Sequence, residues 1–563
     1  FFLCFMIAMN VTLFYRRDVD HSYWLVYVVR HKLVNTGFLY PHNEELPELD
    51  LTGKWTGQYK TSVRFEKLQY EEIANADHIW NWLEGPMYEL LHPNKTGHIV
   101  GGNTQIVGKI RLRQVRVKAD AGCKINPLAE NYVSHCYASF QESTQSVDSF
   151  HDHKSPGFTW IQGSDLAGAG NSHDGYFASY TPSGFVYDVT PSQAAWPGAI
   201  ASLKKGLWID HQTRLIEVSY NVFNPNYNVY ATANYWIEVS SSGRMHSTYR
   251  IRPYVLDLCF ACDGWWFAEI STYALSIFLF AAEFYEIYFF FKVKQPTRLF
   301  CRHPWHAHHL LVFAFLFASV ISRIYMYNLA GTYLELIWSD EMKENYVDVQ
   351  RYAYLYELTF AFEALVIFFA AFRIFKFMGH FRTFDQFTKV FVQAGLEIMF
   401  FTVLFSTTFF GFAVLAHNIY GSSIVSYNTI MASIKALLKM TVGIIDYEEM
   451  RLVDPVWTPV FFACYIVFIG MILINVFLAI LNTSYTEVRT EINAEERRLK
   501  QLKALRPEKD KHDYKLKDNL LEILDLRKTF NAAFIFVHPA EVLKENVLSE
   551  NSKANSSNPW VQL

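Results

Sequence analysis

The sequence predicts a six-span membrane protein whose first and second spans are separated by a large α+β domain in water. Three observations carry this. The 563 residues are 51% hydrophobic and 17% aromatic, apolar for a wholly water-soluble chain. Runs approaching the roughly 20 apolar residues a membrane helix needs occur once at the start and then repeatedly after residue 260. The long interval between them, about residues 17–255, holds no such run and is rich in Gly, Pro, Asn and Ser.

Taken in order, residues 1–14 read as the end of one span, stopped by Arg16, Arg17 and Asp18, so that 1–16 form a partial first span. The chain opens on Phe1 rather than Met and is read as a piece of a longer protein, with no targeting signal assigned. In the interval, 109–117 and 214–224 alternate apolar and polar residues, as half-buried strands do. Residues 71–87 space Ile73, Ile79, Trp80 and Leu83 as a helix does. Five further runs follow at about 264–293, 305–329, 353–379, 393–420 and 456–482. An even number of spans leaves both chain ends on one side and the 17–255 domain on the other. Lys292, Lys294, Arg298 and Arg302 after span two, and Arg373, Lys376, Arg382 and Lys389 around the end of span four, mark the cytoplasmic side. The domain is therefore extracellular or lumenal. That suits a bridge between Cys123 and Cys136 and a glycan acceptor at Asn94-Lys95-Thr96. Cys259 and Cys262 form a lone CxxC with no second pair, which reads as membrane-entry thiols rather than zinc ligands. Beyond 484 a charged helix and tail run to 563, with Pro507 as a break and Leu520, Leu521, Ile523, Leu524 and Leu526 as a short apolar face.

Net charge of −4 gives no support to nucleic-acid binding. The order of residues shows no Ser/His/Asp arrangement, nucleophile elbow or HExxH, and no repeated halves with broken spans as a transporter would have. The informative stretch is ALLKMTVGIIDYEEM, between spans five and six. Residues 427–440 are apolar but too short to cross a bilayer and fit a re-entrant helix, since irregular backbone at membrane depth is tolerated only beside water or inside protein. Residues 441–446 then suit a filter of backbone carbonyls. Gly443 permits the turn, and Asp446, Glu448 and Glu449 ring the outer mouth when four copies surround an axis. An ordinary surface loop is the competing reading. Arg373 and Lys376 read either as voltage-sensing charges or as basic residues snorkelling at the end of span four. Glu269, Glu283 and Glu286 in span two could coordinate a cation or pair with the basic residues of span four. His303, His306, His308 and His309 could bind metal, respond to pH, or form a polar interface.

With these residues in hand, the chain resembles the polycystins of the transient-receptor-potential superfamily, and within them the channel-forming type-2 branch, from the first span to about residue 490. The most specific stretches are NVFLAILNTSYTEVR closing span six, FRIFKF in span four, and IASLKKGLWIDHQTR with VSYNVFNPNYNVY in the interval; KIRLRQVRV followed by the Cys123 and Cys136 pair also matches. The resemblance implies a polycystin domain at 17–255, and spans two to four of a voltage-sensor-like four-helix bundle at 264–379. A linker at 380–392, a pore module at 393–483 and a cytoplasmic helix and tail at 484–563 complete it. Carried over by position, Val442, Gly443 and Ile444 fall on the selectivity filter, Leu478 and Asn482 on the lower gate, and Arg373 and Lys376 on the gating charges.

Two departures stand out. Ile444 replaces the filter Asp usual in this branch, which removes a carboxylate from beside the axis. His309 stands where an acidic residue helps bind calcium within the sensor bundle of some relatives, so the resemblance does not carry that internal calcium site over, and Glu269 is kept as a metal candidate. The resemblance implies a homotetramer, or a heterotetramer with polycystin-1-like subunits, in membrane lipid, with no nucleic acid. It requires no cofactor beyond permeant Na+, K+ and Ca2+, and leaves room for bound lipid and for an extracellular glycoprotein. The expected activity is non-selective cation conduction, with no enzymatic activity, in a ciliary or flagellar, plasma or endoplasmic reticulum membrane. The alternative is a non-conducting partner subunit or a mechanosensory or adhesion receptor. The absence of basic residues from 456–482 favours conduction.

Overall fold

In the computed structural model, residues 2–504 are described apart from 50–54, 91–98, 102, 152–154, 167–171, 193, 257–265, 293–304, 339–345 and 379–381. Asn94, Cys259, Cys262, His303, Pro507 and the 520–526 apolar face therefore lie outside the described residues, as do the side chains of Glu286, His306 and Lys376. The chain forms two compact units, 1–370 and 371–563.

The first unit begins with helix α1 (Phe2–Arg17), which ends at Asp18 in the left-handed region (φ 42°) and continues as α2 (Val19–Arg30). A hairpin of β1 (Phe38–Leu49) and β2 (Trp55–Leu68) follows. Where one helix was expected at 71–87 there are three pieces: a 3-10 turn Tyr70–Glu72, α3 (Ala76–Glu84) and α4 (Pro86–Leu90). Asn75 caps α3 by accepting from His78 N–H (2.9 Å), and the Gly85-Pro86 pair ends one helix and starts the next.

Next come β3 (Ile99–Gly101), β4 (Thr104–Arg116), β5 (Trp160–Ile161), the small hairpin β6 (His173–Asp174) and β7 (Ser179–Tyr180), β8 (Gly184–Val189), α5 (Ala195–Lys205), β9 (Thr213–Asn224), β10 (Val229–Val239) and β11 (Met245–Tyr254). The main sheet is antiparallel, in the order β11-β10-β9-β4-β8-β5, with β3 on β4. One face is apolar: Ile110, Leu112, Ile216, Val218, Tyr220, Ala231, Ala233 and Tyr235 share a core with Trp82, Trp196 and Trp208. The opposite face is polar yet also buried, carrying Arg111, Arg113, Glu217, Ser219, Asn221, Thr232 and Asn234. Strands β4 and β9 are thus not half-buried, as their alternation predicts, because the polar face is covered as well.

The cover comes from two long helices, α7 (Trp305–Trp338) and α8 (Gln350–Met378), and the segment 346–350 between them. Tyr230, Tyr254, Met326, Tyr333, Val347, Val349, Tyr352 and Phe360 form one core there. Helix α6 (Trp266–Lys292) packs along α1, with Leu275 and Leu279 against the Phe5, Met9, Val366 and Ala370 cluster.

The second unit holds α9 (Arg382–Tyr420), α10 (Ile430–Thr441), α11 (Tyr447–Val453), α12 (Trp457–Tyr465), a π-helical stretch Ile466–Leu473 and α13 (Ile474–Ala504). The expected linker at 380–392 is helical from Arg382 onward and forms the start of α9.

Among the described residues, five helices are long and apolar enough to cross a membrane: Phe267–Tyr285, Ala307–Ile337, Gln350–Arg373, Gln393–Tyr420 and Trp457–Arg498. With 16 residues, α1 is about 24 Å long, short of the roughly 30 Å hydrocarbon core.

Candidate functional site

Helix α10 is amphipathic and starts at Thr429, whose hydroxyl accepts from Ala432 N–H (3.1 Å). It buries Ser433, Leu437 and Met440 against Phe409, Tyr420, Met450, Phe461 and Tyr465. At its end the N–H of Ile444 donates to Lys439 O (3.0 Å) and that of Gly443 to Met440 O (3.0 Å). This pairing is a Schellman cap with Gly443 as its left-handed residue, φ 92°. An added Cβ at Gly443 would meet nothing within 4 Å, so the backbone angle alone calls for glycine.

The turn is held from behind by Tyr465, whose hydroxyl donates to Leu437 O (2.8 Å) and lies 2.6 Å from Thr441 Oγ1. Tyr420 donates to Thr458 Oγ1 (3.0 Å), and Thr458 to Met450 O (2.9 Å), which ties α9, α11 and α12 into one frame.

Against this frame Val442 is 81% and Ile444 62% exposed. Asp446, Glu448 and Glu449 are exposed as well. Asp446 precedes α11 without a side-chain cap, and Glu448 pairs with Arg451 (2.8 Å) at a solvent-exposed site worth little stability. The candidate filter residues thus lie on one rigidly backed, exposed turn, with Asp446 at its end and Glu448 and Glu449 in the first turn of α11. Leu478 and Asn482 lie four apart on α13 and are both exposed, so they share a helix face.

A second cluster lies within the first unit. Arg323, in the middle of α7, bonds Glu269 of α6 and Glu363 of α8 through its two terminal nitrogens, and Arg16 of α1 reaches Glu269 Oε2 at 2.8 Å. Arg323, Glu269 and Glu363 are buried, and the two guanidinium groups balance the two carboxylates. Of the alternatives open for Glu269, ion pairing is the one present, with Arg16 and Arg323 as partners rather than span-four cations. Among the described residues no group of three or more His, Cys, Asp or Glu side chains is placed to hold a metal. His309 Nδ1 lies 2.7 Å from Glu283 Oε2, and His308 Nε2 lies 2.9 Å from Phe369 O, linking α7 to α6 and α8.

Arg323 and Glu363 were not singled out in the sequence, although a lone charge inside an apolar run is the available signal. Arg373 is half-buried on α8, the helix that also carries Lys376. Cys123 and Cys136 are bonded and close the expected loop.

Comparison with known proteins places these features in a family. Residues 69–257 match the family model described as the polycystin domain, and 267–488 the one described as the polycystin cation channel. Human polycystin-2-like protein 1 is 23% identical over 440 residues, covering 76% of this chain and 53% of that protein. Zebrafish (Danio rerio) polycystin-2 is 22% identical over 439 residues, with 76% and 47% covered. Mouse polycystin-1-like protein 3 is 19% identical over 445 residues, with 75% and 19% covered. The chain spans about half the length of the first two.

Proposed function

Because this chain belongs to the polycystin family, we propose that it is the pore-forming subunit of a tetrameric, non-selective cation channel permeable to sodium and potassium and, to a lesser extent, calcium. The single observation that carries the reading is the capped turn after α10: a short apolar helix, a glycine-permitted reversal and exposed carboxylates, bracketed by two span-length helices. In this reading the carbonyls around Val442, Gly443 and Ile444 face the ions, Asp446, Glu448 and Glu449 concentrate cations at the outer mouth, and Leu478 and Asn482 constrict the inner end. The apolar side chain of Ile444 beside the axis weakens any preference for divalent ions.

The six-span arrangement with an extracellular domain at 17–255 belongs to the same proposal and takes α1 as the first span. Spans two to four at 264–379, a pore module at 393–483 and a cytoplasmic tail from 484 follow from it. Arg373 and Lys376 are its voltage-sensing charges. Assembly with polycystin-1-like subunits and residence in a ciliary or flagellar, plasma or endoplasmic reticulum membrane are part of it as well.

Single-channel recording of the purified chain in planar bilayers tests the reading, comparing sodium, potassium and calcium before and after Asp446→Asn. Cation current whose conductance or selectivity changes in the variant is the expected result. A silent wild type, with insertion and tetramer formation verified, overturns it in favour of a non-conducting partner subunit or receptor.

A further inference from the structure

The polar face of the main sheet is closed by the five residues that lead into α8. Tyr346, Val347, Asp348, Val349 and Gln350 are all buried, at 0–8% exposure. Asn221 of β9 donates its amide to Val347 O (2.7 Å), and Gln350 donates to Asn234 Oδ1 of β10 (2.8 Å) and Glu217 Oε1 of β9 (3.4 Å). The ring of Tyr346 lies under the Arg111 guanidinium, 4.5 Å from its centre. Just beyond, Tyr352 donates to Val255 O (2.6 Å) and Arg252 of β11 pairs with Glu357 (2.9 Å). The outer end of α8 is thereby bolted to three strands by side chains rather than by a backbone ladder.

Within this contact one charge lacks an opposite charge of its own among the described residues. Arg111 makes a two-pronged pair with Asp188 of β8 (2.8 Å each), and Arg113 is taken by Glu217 (2.5 Å) and by Thr181 O (2.6 Å). Asp348 is left with a hydrogen bond from Gln350 N–H (2.9 Å), inside its own segment. Among the described residues, the charged and titratable groups around it are Arg111 and Arg113 from β4, Glu217 from β9, Tyr254 from β11, Tyr333 from α7 and Tyr346 beside it.

We propose that Asp348 is a proton-binding site that sets how firmly the outer end of α8 is latched to the sheet: protonation tightens the latch and ionisation loosens it. A carboxylate buried without a matched cation is costly, whereas a neutral carboxyl is not.

The sign follows from the same environment. Burial, opposed by the Gln350 N–H and reinforced by Glu217, pushes the Asp348 carboxyl from its ordinary 3.8 up to about 6, with Arg111 and Arg113 acting the other way. Burial also raises Glu217, but the Arg113 guanidinium outweighs it and holds that group below its usual range, so Glu217 stays ionised where Asp348 titrates. The docked segment therefore holds the proton more tightly than a released one. Stability of the latch is fully present below pH 3.8 and is lost as pH rises through about 6. Between pH 5 and 7.5 the docking equilibrium weakens roughly tenfold. Since α8 also carries Glu363, a proton bound at its outer end acts on one of the helices that hold the buried bundle charges.

The test does not depend on conduction. Hydrogen exchange of the full chain in lipid nanodiscs is followed by mass spectrometry at pH 5 to 7.5, corrected for intrinsic rates, on peptides covering 346–356, with 229–239 as the internal reference. Wild-type protection of 346–356 is expected to fall about tenfold over this range while the reference stays constant. Asp348→Asn keeps the oxygen that accepts from Gln350 and cannot ionise, so its protection stays high and flat. Asp348→Ala stays flat at a lower level. A wild type with no pH step, or either variant retaining the full step, overturns the proposal.

Discussion

The buried charges of the first unit and the exposed turn of the second solve opposite problems. Around Arg323 three charged side chains are buried and a fourth, Arg16, is half-buried, and each is ion-paired with another from the same chain. Around Gly443 the side chains of Val442 and Ile444 are largely exposed. A region that completes its own interactions reports a mutation as lost stability. A region left open on one side depends on water, lipid or further copies of the chain, and reports it chiefly as altered function.

The strongest way to break this contrast is Arg323→Met. It leaves Glu269 and Glu363 as buried carboxylates with Arg16 as the one remaining ion-pair partner among the described residues, and loss of one partner from such a network costs about 3–5 kcal/mol. Thermal unfolding in nanodiscs is expected to show a large fall in midpoint, most of it restored by adding Glu269→Gln and Glu363→Gln. An unchanged midpoint would mean that the cluster is not held in a low-dielectric site.

Next in size is the paired change Cys123→Ser and Cys136→Ser. Opening a loop with a sequence separation of 13 costs about 3 kcal/mol in the chain-entropy description. Faster proteolysis within 120–136, with the main sheet still protected, is the expected signature.

Gly443→Ala sharpens the comparison from the other side. The added methyl clashes with nothing, so the cost is the left-handed backbone alone, about 1–2 kcal/mol. The unfolding midpoint should move little while single-channel current falls; an equal loss of both would make the turn a purely structural element. Smallest in stability is Asp446→Asn, within about 0.5 kcal/mol for an exposed site. Its effect on conductance should grow as ionic strength is lowered, because screening hides surface charge.

Much of this was legible in residue order. The five long apolar runs each lie largely within a long helix, because the length of an apolar run is a local property that tertiary contacts do not reverse; two of these helices run past the expected limit, to Ile337 rather than 329 and to Arg498 rather than 482. The short helix before Gly443 was legible for the same reason, and its glycine marks a conformation that other residues adopt only with strain. The bond between Cys123 and Cys136 followed the polar, loop-rich setting of that pair.

Other features were not legible. The alternation in β4 and β9 is the pattern of a sheet with one wet face, and nothing within those strands says that residues 346–350, more than a hundred positions later, cover it. Arg16 was read as a stop at a membrane boundary, yet its partner is Glu269, 253 positions away. The run 71–87 kept its helical spacing but broke at Gly85-Pro86, where the backbone choice of two residues outweighed periodicity.

Sequence alone therefore determined the five long apolar helices, the glycine turn and the disulfide loop, each of which rests on composition or spacing within a few dozen residues. Tertiary structure alone decided which charges neutralise one another, that the sheet is buried on both faces, and that Asp348 sits in a closed site. Those outcomes depend on the dielectric around a group and on which distant segment supplies its partner, and neither quantity is written in the local order of residues.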